Sequence, residues 1–473
     1  EQFSANGVIS SFLLAQKDYS HHFHLSQKLY GRTEEINSLI DYFNKITQGG
    51  SHLLLVSGYS GIGKSALVHE IHKPITEKGG FFISGKYDQY QRNIPYFAFL
   101  KAFEGLIQQL LTEKEDRRAI WKDQLLSALA SNGQIMIDVI PELELLIGPQ
   151  PPVAALLPTE AQNRFFNTFL NFIGVFAQKD CPLVLFLDDL QWADAASLKL
   201  LSNLLLEDRV QHLLVIGAYR DNEVTATSPL MLTLSELGKE SADISTIQLQ
   251  SLPLLEVRQL VADSLRCLAD ESEDLSNLVF DKTAGNPFFL TQFLAKLHED
   301  GLVRFDFTHF RWLWDTSAIH AQKVSDNVID LMTRKILKLP TQTSDLLQVA
   351  ACVGASFDLD TLAAAAGMTE QEVARDLWPG IREGLTPPLD DNYRAFQSEA
   401  VETDLGAFGL TDINPRYRFL HDRIQQAAYN MIPEKERPKM HLHIGKLLLR
   451  EMTPGMLDDR LFDVVNHLSL GRG

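Results

Sequence analysis

The stretch Ser51–Ile71, SHLLLVSGYSGIGKSALVHEI, decides the fold class of this chain. It opens with the apolar run Leu53–Val56, turns through the glycine-rich segment Gly58–Ser65 and continues as the helical pattern Ala66–Ile71. The glycine-rich segment fits G-x-x-x-x-G-K-[ST] at every fixed position. A strand, a glycine-rich turn and a helix in this order predict a loop that binds phosphate.

The residue types in this loop suit the phosphates of a nucleotide. Glycines let the backbone wrap closely and turn its N–H groups toward phosphate oxygens. Lys64 supplies a positive charge at the β- and γ-phosphates, which also makes it a candidate catalytic residue, and Ser65 places a hydroxyl on Mg²⁺. We therefore predict that ATP contacts Gly58, Tyr59, Ser60, Gly61, Ile62, Gly63, Lys64 and Ser65.

Further apolar runs of the same kind follow along the chain, separated by helical stretches. They are Phe81–Ser84, Leu183–Leu187 and Leu213–Ile216, with a shorter candidate at Thr246–Leu249. Runs that are apolar on both faces indicate a parallel sheet covered by helices. The predicted fold class is therefore α/β, a P-loop NTPase core, with a helical insertion that contains Phe97–Leu111 and Ile120–Leu129.

Two carboxylates end the third apolar run, at Asp188 and Asp189. The C-terminal end of such a strand lies at the edge of the sheet where α/β proteins bind ligands. We predict that Asp188 binds Mg²⁺ and that Asp189 polarises the attacking water as general base, with Asp194 as a weaker rival. Arg220 follows the fourth run and would reach the γ-phosphate; the alternative is a surface arginine paired with Asp221 or Glu223.

The chain of 473 residues is long enough for several domains. We predict a linker at 1–25, the ATPase core at 26–235, a helical lid at 236–315, a winged-helix-like domain at 316–430 and the start of a helical repeat region at 431–473. Val303–Trp314 alternates apolar and polar residues around a turn, which predicts a hairpin within the lid.

The composition of the chain limits its expected partners and its expected location in the cell. Lys and Arg number 43 against 61 Asp and Glu, a net charge of −18 that disfavours nucleic acid and anionic membranes as partners. No apolar run approaches the roughly 20 residues of a spanning helix, and no signal peptide is visible.

The three cysteines lie far apart, so we expect free thiols and a cytoplasmic location. Without an initiating Met, the chain reads as an excerpt from a longer protein.

Three short segments resemble motifs of the signal-transduction ATPases with numerous domains, the STAND class. Leu29–Glu35 resembles the opening glycine–arginine–glutamate motif, although Thr33 stands where an acid is usual. Gly285-Asn286-Pro287 resembles the G-x-P motif and Leu420-His421-Asp422 the M-H-D motif. The resemblance implies that Tyr30, Gly31, Arg32 and Pro287 contribute to the adenine pocket and that His421 contacts the β-phosphate of ADP.

A second resemblance is to the ATPase segment of large bacterial sensor kinases that join serine/threonine kinase, sensor and histidine kinase domains. It is carried by Gly85–Pro95, Asp138–Glu144, Leu187–Asp194 and Gly217–Val224. Its ATPase module is similar to AAA ATPases of the origin-recognition-complex type. The resemblance implies that the partners are kinase and sensor domains of the same longer polypeptide, and it leaves open a nucleotide-dependent homo-oligomer.

Together these observations predict an ATP-operated switch. ATP and Mg²⁺ would lie between the sheet core and the lid, and in the ADP state His421 would hold the winged-helix-like domain closed. Three alternatives stay open: an origin-recognition-like ATPase that associates with DNA, the ATPase module of a transcriptional regulator, and a scaffold with a degenerate site. The acidic charge argues against DNA binding, and the intact Lys64, Ser65 and Asp188 argue against a scaffold.

Overall fold

The structure, a computed structural model, describes residues 23–26, 28–88, 95–207, 209–240, 242–321, 328–396, 414–451 and 457–472. The described chain forms two compact units. The first unit contains the described residues up to Glu34 together with Ser60–Leu67 and Leu249–Val324; the second contains Glu35–Tyr59, Val68–Gln248 and Ser325–Gly473. Among the described residues, no helix has the length and apolar character needed to cross a membrane.

A five-stranded parallel sheet forms the centre of the second unit. Its strands are β1 (Ser51–Ser57), β2 (Phe81–Lys86), β3 (Leu183–Asp188), β4 (Leu213–Tyr219) and β5 (Ile244–Gln248). The order across the sheet is β2-β3-β4-β1-β5. This confirms the predicted α/β class with a P-loop NTPase-like arrangement. β2, β3 and β4 begin where predicted, whereas β1 and β5 each begin two residues earlier.

The three inner strands, β1, β3 and β4, lie inside the unit because both of their faces are apolar. All seven residues of β4 are buried, and so are six of the seven in β1. The helices of this part of the chain are α1 (Thr33–Ile46), α2 (Lys64–His69), α3 (His72–Glu77), α4 (Phe97–Leu111), α5 (Glu115–Leu129), α6 (Gly133–Ile137), α7 (Leu143–Ile147), α8 (Pro158–Phe176), α9 (Ala195–Leu206) and α10 (Pro229–Lys239).

The helical insertion between β2 and β3 is held by an aromatic cluster. Phe103 on α4 lies 5.3 Å from Phe172 and 5.7 Å from Phe169, both on α8, measured between ring centroids. Such contacts bury large apolar area in favourable edge-on geometry. The predicted helix Phe97–Leu111 is confirmed, and the second begins at Glu115 rather than Ile120.

The first unit is helical with one hairpin. Its elements are α11 (Leu254–Leu265), α12 (Glu273–Thr283), α13 (Pro287–Glu299), β6 (Val303–Asp306), β7 (Arg311–Trp314) and α14 (Thr316–Ala321). The two strands pair antiparallel, Val303 opposite Trp314, as the alternating pattern predicts. Buried residues of α11, α12 and α13, among them Val261, Val279 and Leu290, form its core.

The remainder of the second unit packs helices around a small sheet. Its elements are α15 (Val328–Leu337), α16 (Thr341–Val353), β8 (Ser356–Asp358), α17 (Leu359–Ala366), α18 (Glu370–Arg382), β9 (Arg416–Arg418), α19 (Asp422–Met431), α20 (Arg437–Glu451) and α21 (Leu457–Leu470). β8 and β9 pair antiparallel, with Phe357 opposite Tyr417. The domain boundaries proposed from the sequence stay predictions.

Candidate functional site

The phosphate loop has the backbone that its glycines allow. Between β1 and α2, Gly61 and Gly63 have φ values of 77° and 101°, a region that favours residues without a Cβ. Helix α2 begins at Lys64, and the Leu67 N–H donates to the Gly63 carbonyl over 2.9 Å. Lys64 and Ile62 are buried, whereas Tyr59 is exposed. The local structure is therefore the strand–loop–helix unit that the sequence predicts.

The G-x-P motif touches this loop within the first unit. The Asn286 side-chain amide donates to the Ser60 carbonyl over 3.0 Å, and the Phe288 backbone N–H donates to the Gly61 carbonyl over 3.2 Å. A Cβ at Gly61 would lie only 2.7 Å from the Phe288 Cβ. Gly61 therefore permits both its own backbone conformation and the close approach of α13.

Asn286 is a contact residue to which the sequence analysis assigns no role. Its side-chain oxygen also accepts the N–H groups of Phe288 and Phe289, so it caps α13 while its amide nitrogen holds the phosphate loop. The signal was present, since asparagine before a proline at the first helical position is a preferred helix start. What it cannot show is that the other end of the amide reaches Ser60.

Tyr30 and Arg32 are buried in the first unit. The Tyr30 hydroxyl lies 2.8 Å from Asp263 Oδ2, and burial raises the pKa of Tyr30 to about 12. Arg32 donates from Nη2 to the Gln250 carbonyl over 2.5 Å. Between them Gly31, with φ of 58°, lies against the Glu256 side chain. These contacts order the segment, and adenine binding by these residues and Pro287 stays a prediction.

The acidic end of β3 belongs to the second unit. Asp188 is half-buried, and its Oδ1 accepts the backbone N–H of Asp189 over 2.9 Å. Asp189 has φ 56° and ψ 43°, the left-handed region that non-glycine residues seldom adopt. The chain then enters a short 3₁₀ turn, Leu190–Trp192. The turn directs the Asp189 carboxylate into the protein, where its side chain is 4% exposed.

Three donors surround the Asp189 carboxylate. Gln191 Nε2 lies 2.9 Å from Oδ1, Arg220 Nε lies 3.3 Å from Oδ1, and Lys86 Nζ lies 3.1 Å from Oδ2. Desolvation lowers the pKa of Lys86, but the carboxylates of Asp189, Asp188 and Asp422 together raise it above its ordinary value. No role was predicted for Lys86 or Gln191 from the sequence.

Asp194, the weaker candidate for the general base, has a structural task. Its Oδ1 accepts the backbone N–H of Ser197 over 2.8 Å, which caps the N-terminus of α9, and its Oδ2 accepts the Ser197 hydroxyl over 2.5 Å. Both oxygens are therefore engaged. Asp189 therefore remains the stronger candidate for the general base.

Arg220 joins the end of β4 to the C-terminal part of the second unit. Its guanidinium is 4% exposed and pairs with Asp189, with Glu223 at 2.8 Å and with Asp422, and it lies 4.7 Å above the Trp192 ring. Desolvation lowers the pKa of Arg220, but the three carboxylates raise it above its ordinary value. Arg220 is thus buried, so the predicted surface location in the alternative is wrong, whereas the pairing with Glu223 that the alternative predicted is present.

The motif Leu420-His421-Asp422 opens α19. His421 Nδ1 lies 3.1 Å from the Arg423 backbone N–H, which it caps, and 2.6 Å from Asp422 Oδ1. His421 Nδ1 cannot make both hydrogen bonds at once. Without a proton it accepts the Arg423 N–H, and with a proton it donates to Asp422 Oδ1. Burial raises the pKa of Asp422, but His421, Arg220 and Lys86 together hold it well below its ordinary value.

A family of known proteins matches about two-fifths of the chain, within its N-terminal half. Residues 28–216 match the family described as "AAA ATPase domain". Residues 28–216 are therefore similar to AAA ATPase domains, and the phosphate loop, Asp188 and Asp189 fall inside the matched range.

Curated relatives are much longer than this chain. Hybrid signal transduction histidine kinase G of Dictyostelium discoideum is 30% identical over 527 aligned residues, which cover 94% of this chain and 15% of the relative. Histidine protein kinase 1 of Candida albicans is 21% identical over 470 residues, covering 85% of this chain and 19% of the relative. The chain thus spans less than a fifth of the length of these relatives.

Solved structures give weaker likenesses. A STAND protein with a tetratricopeptide repeat sensor from Pyrococcus horikoshii is 13% identical with a TM-score of 0.46, covering 95% of this chain and 49% of that chain. The Aeropyrum pernix ORC2 protein is 12% identical with a TM-score of 0.37, covering 89% and 98%. The strand order of the sheet, and not these likenesses, defines the fold.

Proposed function

We propose that this chain is an ATP-binding, slowly ATP-hydrolysing switch within a longer signal-transduction protein of the hybrid histidine kinase type. One observation supports the switch above all others. The buried Arg220 pairs with Asp189, at the end of a core strand, and with Asp422, the first residue of α19. A side chain that binds both can transmit a change at one to the other.

In this proposal the loop Gly58–Ser65 binds the phosphates of ATP, and Lys64 neutralises the β- and γ-phosphates. Ser65 and Asp188 would hold Mg²⁺. A hydroxyl and a half-buried carboxylate fit that ion, because Mg²⁺ prefers hard oxygen ligands. The bound ion would supply positive charge to the phosphate oxygens. Tyr30, Gly31, Arg32 and Pro287 would contact the adenine.

Hydrolysis would require Asp189 to exchange partners. As general base it must accept a hydrogen bond from water, yet its Oδ1 already takes Gln191 and Arg220. If Arg220 turns to the γ-phosphate, Asp189 loses one donor and Asp422 loses its buried cation. In the ADP state His421 would contact the β-phosphate, which favours the arrangement in which Arg220 binds Asp422. A nucleotide shifts this balance only by binding the two arrangements with different affinity.

The wider setting is also part of the proposal. We place the chain in the cytoplasm beside kinase and sensor domains of the same polypeptide, with a nucleotide-dependent homo-oligomer as a further partner. The names of the curated relatives support the histidine kinase context. Those relatives are eukaryotic, so the proposal is not restricted to the bacterial sensor kinases that the sequence resembles.

The test measures bound nucleotide and turnover on the same preparation. The purified protein is denatured, released nucleotide is identified by anion-exchange chromatography, and steady-state hydrolysis of added ATP is followed. We expect near-stoichiometric ADP and slow turnover. An empty site with fast turnover would instead indicate a working motor or metabolic ATPase.

Lys64→Ala should abolish both bound ADP and turnover, because the loop loses the positive charge that neutralises the phosphates. Lys122→Ala is the matched control, since Lys122 is an exposed lysine of α5. Circular dichroism should show that both variants keep the fold. Undiminished nucleotide in Lys64→Ala would remove the basis of the site assignment.

A further inference from the structure

The segment Gly85–Asp88, at the end of β2, has no role in the function proposed above. Its backbone is nevertheless closely packed. A Cβ built on Gly85 would lie 1.8 Å from the carbonyl oxygen of Ala98 in α4, so only glycine fits there. This contact holds the end of β2 against the helical insertion. Lys86, the next residue, therefore extends from a backbone that has little freedom.

Strand pairing places Lys86 beside the acidic end of β3. β2 and β3 are parallel neighbours, with Gly85 opposite Leu187 and Lys86 opposite Asp188. The Lys86 side chain reaches one residue further, so that its Nζ lies 3.1 Å from Asp189 Oδ2. The Lys86 side chain is 44% exposed along its length and the Asp189 side chain is 4% exposed, so a lysine that reaches in from the surface holds a buried carboxylate.

The two oxygens of Asp189 have different partners. Oδ1 faces Gln191 and Arg220, and Oδ2 faces Lys86. Gln191 is itself fixed, because its Oε1 accepts the backbone N–H of Arg220 over 3.1 Å. Lys86 therefore contacts Oδ2 of Asp189, whereas Arg220 would release Oδ1.

We infer that Lys86 is a positioning residue, which orients the Asp189 carboxylate while Arg220 moves between Asp189 and nucleotide. This rests on the function proposed above. Asp189 has a left-handed backbone that is unfavourable for a non-glycine residue, and the contacts of its side chain help to hold this conformation. Without Arg220, the contacts to Gln191 and Lys86 remain, and Lys86 brings the positive charge.

The same lysine also acts on Asp422. Although burial raises the pKa of Asp422, His421, Arg220 and Lys86 together hold it well below its ordinary value. When Arg220 leaves, Asp422 keeps a cation nearby. Lys86 thereby reduces the electrostatic cost of moving Arg220 at both carboxylates that Arg220 would abandon.

The experiment compares kcat and KM for ATP in the wild-type chain, Lys86→Met, Lys86→Arg and the control Lys122→Met. Lys86→Met should lower kcat about tenfold or more, because a misdirected catalytic group commonly costs that much, and should leave KM within about twofold. Lys86→Arg should recover most of the loss. An unchanged kcat, a loss confined to KM, or equal losses in Met and Arg variants would each overturn the inference.

A second measurement separates this inference from the proposed function. Melting temperatures are measured for Lys86→Met, Asp189→Asn and the double variant, without added nucleotide. The two single shifts should be clearly non-additive, because either substitution removes the same contact. Additive shifts overturn the inference whether or not the wild-type chain hydrolyses ATP, whereas non-additive shifts without wild-type turnover contradict the proposed function alone.

Discussion

Arg220 is surrounded by the carboxylates of Asp189, Glu223 and Asp422, and the Trp192 ring covers its guanidinium. A buried cation is stable only while its partners stay, since removing one leaves charge without compensation. Arg423 adds a further link, with Nη2 3.1 Å from Glu223 Oε1. At the scale of single residues, the pairing of Arg220 with Asp422 is thus the contact whose loss should change both stability and nucleotide exchange.

Asp422→Asn tests this pairing. The substitution keeps the shape of the side chain and removes its charge, so we expect a loss of about 3 kcal/mol in the free energy of unfolding, the usual effect of breaking a buried ion pair. ADP should also dissociate faster, because Arg220 no longer favours the ADP-bound arrangement. Urea unfolding and stopped-flow release of a fluorescent ADP measure the two effects.

The control for that variant is Asp345→Asn, which alters an exposed aspartate of α16 and should change neither quantity. If Asp422→Asn destabilises the chain and leaves ADP dissociation unchanged, Arg220 is a structural ion pair and the switch loses its main support.

Helices α19, α20 and α21 meet at a polar chain inside apolar packing. The Tyr429 hydroxyl lies 3.0 Å from His441 Nε2, and His441 Nδ1 lies 3.0 Å from His467 Nδ1. Ile444 and Val464 are buried beside them. Desolvation lowers the pKa of His441 and His467 to about 4 each, and for His467 the neighbouring His441 adds to this. Burial between these helices therefore favours the neutral forms of both imidazoles.

This arrangement makes the packing sensitive to acid. The folded-state pKa values lie below the ordinary value of 6.5, so the unfolded chain binds protons first, and stability falls as pH decreases from about 6.5 toward 4. Each such proton contributes a slope of about 1.4 kcal/mol per pH unit in the free energy of unfolding. His441→Phe should reduce the slope measured by urea unfolding across this range.

The exposed His443 on the same helix provides the comparison, and His443→Phe should keep the wild-type slope. Equal slopes for both variants would show that His441 binds protons equally in the folded and unfolded chain.

The net charge of −18 acts on the whole molecule. Like charge repels the phosphate backbone of nucleic acids, and binding to duplex DNA normally depends on lysine and arginine displacing counterions. The electrostatic balance of the chain therefore opposes the alternative of a DNA-associated ATPase.

We expect no binding to a random 30-base-pair duplex in fluorescence anisotropy at physiological salt, up to about 10 µM protein, a range in which non-specific DNA-binding proteins associate. Lowering the salt to about 50 mM should not produce binding, because the net repulsion increases as screening weakens. Salt-dependent association in either ATP or ADP would revive the DNA-associated alternative.

Local patterns were sufficient for much of the fold. The apolar runs predicted the strands because a parallel sheet covered on both faces requires residues that are apolar on both faces. The strand–loop–helix arrangement around Gly58–Ser65 was predictable, since its glycines, Lys64 and Ser65 fit a motif of eight consecutive positions between a strand and a helix. That this loop binds phosphate stays a prediction. The hairpin at Val303–Trp314 and the helix Phe97–Leu111 follow in the same way from periodicity.

Local sequence was sufficient to predict the α/β class, the position of Asp188 and Asp189 at the end of β3 and the loop that contains Lys64. Only the tertiary structure decided which side chains share partners: that Arg220 binds both Asp189 and Asp422, that Lys86 reaches Asp189, and that Asn286 holds Ser60. The physical reason is range. Propensity and periodicity act over a few residues, whereas an ion pair between residues 220 and 422 depends on the packing of everything that brings them together.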